Sequence, residues 1–168
     1  MTISNQNPTP APDQMFDVFG VQLQFLVPPE GTGNQTSVYK GILPSGVVIP
    51  LHSHPDSEVF YVLEGTIEVY QQNGEHKGWH SVSAGNAIAV APEVKHALRN
   101  TSSAPSAVIA VTEHGLYDFF REIAKPAQQG STTPPSPEDM QQFFAVAAKY
   151  SYWMGSLEEN AAVGIRLG

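Results

Sequence analysis

The chain has 168 residues, 41% of them hydrophobic and 14% charged, with a net charge of −8. That suits one domain with an ordinary core. The acidic balance, with no basic block, excludes a nucleic-acid partner, which needs clustered Lys and Arg against phosphate. The lack of cysteine excludes disulfides, thiolate metal sites and a cysteine nucleophile.

Residues 1–14 (MTISNQNPTPAPDQ) are polar and proline-rich and read as a mobile arm. They have neither the basic start nor the apolar stretch of a secretory signal. No window of the chain reaches the apolar length needed to cross a membrane. The expectation is a soluble, cytoplasmic protein with no membrane partner.

Residues 15–113 are a series of short β-type runs between turn signals: FDVFG, VQLQFLV, TSVYKGIL, VVIPL, EVFYVL, TIEVYQ, AIAVA, HALRN and AVIAVT. Several alternate cleanly; Ile67 and Val69 point one way, Thr66 and Glu68 the other. Glu64-Gly65, between two such runs, reads as a tight hairpin. Many short strands at regular spacing, with 14 Gly and 14 Pro, predict an all-β sandwich or barrel.

Residues 114–168 change texture and predict a C-terminal helical extension. Leu116, Phe119, Phe120 and Ile123 lie at helical spacing. A proline-rich loop follows. Ser136 then reads as an N-cap, with Pro137 at the first helical position and Asp139 completing a capping box. Met140, Phe143, Phe144 and Ala147 are the expected apolar face of that helix. From about Gly155 no strong signal is read.

The segment that carries chemistry runs from Gly46 to Gly65. His52 and His54, at i and i+2 of an extended strand, project from one face, so their imidazoles can converge on one ion. Pro55 turns the chain. Glu58 opens the next apolar strand and can reach back to the same ion. Neutral imidazoles with one carboxylate suit a divalent transition metal: Fe, Mn, Ni, Cu, Co or Zn. A second segment, Gly85 to Asn100, has an apolar strand, a turn with Pro92, and then His96, a candidate fourth ligand. His80 and His114 are weighed as substrate groups, with a structural or exposed role the default; His76 reads as solvated. Phe25, Tyr39, Phe60, Tyr61, Tyr70 and Trp79 are candidates for a pocket lining, with core packing the default. Tyr117, Phe119 and Phe120 are weighed as a lid and, more plainly, as cover for a sheet face.

These two segments resemble the two motifs of the cupin family. The first, G-x5-H-x-H-x3-E-x6-G, is matched at Gly46, His52, His54, Glu58 and Gly65. The second, G-x5-P-x-G-x2-H-x3-N, is matched at Gly85, His96 and Asn100. Ala91 stands at its Pro position, with Pro92 one place later, and Glu93 stands at its second Gly. The resemblance, strongest over about residues 40–113, implies a double-stranded β-helix, a jelly-roll barrel with the metal inside. It implies His52, His54, Glu58 and His96 as ligands, and a homodimer. The single barrel followed by an aromatic helix looks most like the quercetin-dioxygenase-like branch.

The function expected is an oxygenase acting on a small enol- or catechol-like substrate, with the metal as Lewis acid and Glu58 as the catalytic group that takes a substrate proton. The alternatives are a metal-containing small-molecule binder or sensor without turnover, and a structural barrel whose metal is incidental.

Overall fold

The computed structural model describes residues 10–128 and 134–167. Residues 1–9 of the expected arm, and residues 129–133 of the proline-rich loop, lie outside the described residues. Residues 10–14 lead into the first strand, and Gln24 Nε2 donates to the Pro12 carbonyl at 2.7 Å.

Two antiparallel sheets face each other. The larger contains β1 (Met15–Val18), β2 (Val21–Val27), β3 (Thr36–Leu43), β5 (Glu58–Glu64), β8 (Ala87–Val90), β10 (Ser106–Glu113) and β11 (Lys125–Pro126). Its order is β11-β1-β2-β3-β10-β5-β8. The smaller contains β4 (Val48–Ser53), β6 (Thr66–Gln71), β7 (Gly78–Ser83), β9 (His96–Arg99) and β12 (Trp153–Met154), in the order β12-β4-β9-β6-β7. This is the jelly-roll barrel that the resemblance implies, followed by three α-helices among the described residues.

The strands form where the alternation says they should. β3 and β10 pair over their full lengths, and each buries every second residue. Two inward rows cross the larger sheet. One is Phe25, Tyr39, Ala110, Phe60 and Ile88; the next is Ser37, Thr112, Glu58 and Val90. The first row is aromatic and aliphatic core, with Phe25 edge-on to Tyr39 at 5.6 Å between ring centroids. The second row is polar at three of its four positions.

Several sequence expectations need correction. Glu64-Gly65 is not a hairpin: β5 and β6 belong to different sheets, so the chain crosses between them at Gly65. A Cβ there would lie 2.6 Å from Ser106 Oγ, and Ser106 bonds both the N–H and the carbonyl of Thr66. Gly65 is therefore required by close approach of the chain and by its left-handed backbone, φ 75°, at a crossing between sheets. β7, which carries Trp79 and His80, was not among the expected strands, nor were the two-residue β11 and β12.

In the extension, α1 (His114–Ile123) buries Leu116, Phe119 and Ile123 against Val146 and Ala147 of α2 (Pro137–Lys149). Tyr117 and Phe120 turn the other way and pack on the barrel core. The capping box at Ser136 and Asp139 is present. The buried face of α2 differs from expectation: Val146 joins Ala147, whereas Phe144 is 53% exposed. The stretch after Gly155, read as featureless, forms α3 (Leu157–Ala162), opened by a second capping box at Ser156 and Glu159. The Ser-x-x-Glu spacing was a legible signal for it. The tail that includes β12 and α3 covers the outer face of the smaller sheet: Ile165 packs on Leu51 and Ala97, and Trp79 Nε1 donates to the Val163 carbonyl at 2.8 Å.

Candidate metal centre

His52, His54, Glu58 and His96 come together between the two sheets, each offering one donor atom, with these atoms all within 4.8 Å of one another. β4 and β9 are neighbours, and His52 stands opposite His96 in their register. Glu58 reaches the group from the facing sheet, as the first residue of β5. His54 follows β4, where the chain turns through Pro55. Glu58, His54 and His96 are buried, and His52 is half-buried.

All three imidazoles are oriented in the same way. Their Nδ1 atoms sit against backbone carbonyls: His52 on Pro50 at 2.6 Å, His54 on Asp56 at 2.9 Å and His96 on Val94 at 2.8 Å. A carbonyl only accepts, so Nδ1 carries the proton and Nε2 is left with its lone pair. These Nε2 atoms face Glu58. His96 Nε2 lies 2.9 Å and His54 Nε2 3.3 Å from Glu58 Oε2. His54 Nε2 is nevertheless a buried atom without a hydrogen-bond partner of acceptable geometry among the described residues. Such an atom normally carries a desolvation penalty. Adjacent donors on an ion with bonds of about 2.1 Å are separated by about 3 Å, so these separations fit a shared cation. Buried His and Glu donors of this chemistry can hold a divalent metal ion.

Without an ion, Glu58 also draws a proton to the imidazole that faces it, so His54 Nε2 presents its lone pair only in the neutral form. Burial, reinforced by His96 and His54, lowers the His52 imidazole to about 3. For Glu58, burial alone would push the carboxyl up; contacts with His54 and His96 outweigh it and hold the group well below its ordinary range. Burial also works to lower His54, and the nearby Glu58 carboxylate outweighs it and raises the imidazole.

The turn before His96 keeps its shape without the glycine of the motif. Glu93 stands there with φ at 63°, and its N–H donates to the His54 carbonyl at 2.8 Å. Asn100 is buried and holds its own loop together: Nδ2 donates to the carbonyls of Leu43 and Ala104, and Oδ1 accepts from Ser102.

The remaining candidates lie elsewhere. His80 bonds the Lys77 carbonyl, with the His76 ring edge-on to it at 5.3 Å between centroids, and His114 sits exposed beside Asp118. None joins the cluster. Phe25, Tyr39 and Phe60 are core; Tyr61 is exposed; Tyr70 and Trp79 pack beneath the C-terminal tail. Tyr117 and Phe120 cover the barrel core, and Phe119 packs between α1 and α2.

Two features near the centre had no reading from sequence. Ser37, Tyr39 and Thr112 form a buried hydroxyl group of three, with Ser37 Oγ 2.6 Å from Tyr39 OH and 3.2 Å from Thr112 Oγ1, and Tyr39 OH bonded to Thr112. Thr112 is the register neighbour of Glu58. Burial raises the Tyr39 phenol well above its usual value, so it stays protonated. Tyr152, on the chain between α2 and β12, lies 5.4 Å ring to ring from His54 and donates to Asp56 Oδ2 at 3.2 Å. Beside it opens a cavity of about 570 Å³ lined by Thr36, Pro55, Asp56, Glu113, Tyr150 and Tyr152 among others. None of the four donor residues lines it.

Comparison with known proteins agrees with the fold. The family model described as "Cupin domain" matches residues 39–112. Among solved structures, a predicted oxalate decarboxylase from Thermotoga maritima is 19% identical, with a TM-score of 0.53 over 60% of this chain and 93% of that one. An RmlC-like cupin from Shewanella frigidimarina is 23% identical, with a TM-score of 0.52 over 63% of this chain and 87% of that one. At these identities the likeness is one of fold. A structure of DMSP lyases, 17% identical at a TM-score of 0.48, is matched over 55% of this chain and 47% of its own, so the present chain spans about half the length of that relative. No curated protein matches the chain. Motif, fold and family model point the same way: residues 39–112, the centre of the barrel, match the model of the cupin domain.

Proposed function

We propose that His52, His54, Glu58 and His96 bind one divalent transition metal, and that the protein is an oxygenase for a small organic substrate with an enol- or catechol-like oxygen. The observation that carries the metal reading is the common orientation of three imidazoles. Each commits Nδ1 to a carbonyl and turns Nε2 inward, and one of those Nε2 atoms is buried without a hydrogen-bond partner. A bound redox-capable ion supplies Lewis acidity to substrate oxygen and an electron path to dioxygen. The chain's own residues do the rest. Glu58 Oε2 is engaged by the histidines, which leaves Oε1 to accept a substrate proton. The aromatic row around Phe60 and Tyr39 keeps bulk water from the barrel interior.

A second reading, a metal-containing binder without turnover, is favoured by the depth of the donors: Glu58, His54 and His96 are at most 6% exposed. One experiment addresses both. Metal content is measured by mass spectrometry on protein purified without added metal or chelator, for wild type and His52→Ala, followed by oxygen uptake with a panel of enols and catechols. About one equivalent of Fe, Mn, Ni, Cu or Co in wild type, lost in the variant, with substrate-dependent oxygen uptake, supports the oxygenase. Metal without uptake supports the binder. No metal in either, even after reconstitution, removes both.

The homodimer expected from the resemblance has a candidate surface. Val59, Tyr61 and Leu63 alternate along the outer face of β5 and are 40%, 44% and 41% exposed. The tail covers the outer face of the smaller sheet, whereas this stripe on the larger sheet has no such cover among the described residues. A second copy is the proposed partner.

A further inference from the structure

The Pro50–Leu51 peptide unit, just before the first histidine, is held at both ends. Its carbonyl accepts from His52 Nδ1 at 2.6 Å. Its N–H donates to Asn160 Oδ1 at 2.8 Å. An amide is planar, so tilting one end tilts the other. The neighbouring strand does not hold this unit. The β4–β9 register jumps from Ile49 opposite Leu98 to His52 opposite His96, and Pro50 and Leu51 fall in the irregularity. The C-terminal tail fills the gap. Gly155 N donates to the Leu51 carbonyl at 2.8 Å, and Met154 stands opposite His52.

Asn160 is wholly buried, and its amide is locked. Nδ2 donates to the Gly155 carbonyl at 3.1 Å and to the Ser156 carbonyl at 2.9 Å, which leaves Oδ1 aimed at Leu51. The tail sits close: a Cβ on Gly155 would lie 3.0 Å from Leu51 O and 3.2 Å from Asn160 Nδ2. Of the three site histidines, the least buried is the one that depends on this arrangement.

We propose that Asn160 is a positioning residue for the metal centre: through the Pro50–Leu51 peptide it fixes the carbonyl that holds His52 Nδ1–H, and so aims His52 Nε2 at the other three donors. The chain Asn160 Oδ1, Leu51 N–H, Pro50 C=O, His52 Nδ1–H is one run of hydrogen bonds in which each polarises the next. The inference rests on the metal-binding reading above, but part of its test does not require metal.

The test uses the full chain. In metal-free protein, nitrogen NMR of the His52 ring reports which nitrogen carries the proton. In parallel, Zn(II) affinity is measured by competition with a chromophoric chelator. Asn160→Ala is expected to shift His52 from a pure Nδ1–H tautomer to a mixture and to weaken Zn(II) binding by about 5- to 10-fold, at the low end of the range for partners of metal ligands. Asn160→Asp keeps an acceptor for Leu51 N–H but loses the two donations that lock the amide, so its affinity and tautomer should fall between those of wild type and the alanine variant; where the alanine variant does not fold, these readings against wild type decide the matter. Ile165→Ala loosens the same tail through packing alone, and should lower the melting temperature without changing the tautomer or the affinity. The proposal is overturned if Asn160→Ala (or Asn160→Asp, where the alanine variant does not fold) keeps wild-type tautomer and affinity, if Asn160→Asp binds no better than Asn160→Ala, or if Ile165→Ala weakens binding as much as Asn160→Ala does. A wild-type protein that takes up no Zn(II) would instead sink the metal reading, and the tautomer measurement would still decide the role of Asn160.

Discussion

Glu93 donates its backbone N–H to the carbonyl of His54 at 2.8 Å while its own backbone is held at φ 63°. The two ligand-bearing segments are thus joined at a residue whose conformation favours glycine. A non-glycine residue there carries a local cost, and the turn keeps its shape because the cross-link and the flanking strands impose it.

Glu93→Gly is therefore expected to stabilise the protein by about 0.5–1 kcal/mol, raising the melting temperature by roughly 1–4 °C. Calorimetry on matched samples checks this. A lower melting temperature would mean that the Glu93 side chain contributes more than its backbone costs. Metal content should not change, since the N–H to His54 remains.

Glu58→Gln keeps the shape of the side chain and removes its charge. The carboxylate is the only anion among the four donors. Loss of it should weaken metal binding by about 100-fold or more, beyond what partners of ligands typically contribute. Chelator competition reads the change directly, and an affinity within a few-fold of wild type would remove Glu58 from the ligand set.

The metal-free protein should lose stability in acid through this site. His52 is lowered to about 3, chiefly by burial and then by His96 and His54, from an ordinary value of 6.5. Between those limits the unfolded chain takes up a proton there and the folded chain does not, so stability rises with pH across the window and falls as pH drops. Glu58, held low, acts in the same direction: its contribution is present above its ordinary value of 4.5 and is lost as pH falls towards the depressed one. His54 is raised and acts oppositely, losing its contribution as pH climbs above 6.5. Melting curves of chelator-treated protein from pH 4 to 7 should climb steeply in wild type and less so in His52→Ala. Parallel curves would show that His52 does not set the slope.

Tyr61→Glu places a charge in the middle of the exposed stripe on β5. Sedimentation should show a dimer for wild type and a monomer of about 18.1 kDa for the variant, with metal content unaltered. A wild-type monomer, or a dimer that survives the substitution, moves the interface elsewhere.

The cluster of four donor residues and the barrel were legible because their signals are local. His52 and His54 share a face by strand periodicity, Glu58 follows within one turn, and the period-2 runs of β3, β5 and β10 record which side faces inward. The helices α1 and α2 were legible for the same reason, down to the cap at Ser136. What the sequence by itself did not determine depends on which segments meet. Gly65 reads like any hairpin glycine until Ser106, 41 positions on, lies against it. The row Ser37, Thr112 and Glu58 exists only because β3, β10 and β5 lie side by side in that register. Leu51 N–H finds its acceptor in Asn160, 109 residues away. A backbone donor left unpaired by a bulge has no local sequence mark of the partner that will satisfy it. Only the tertiary structure chose the C-terminal tail for that role, because only the packed tail brings an oriented, water-excluded acceptor to that point.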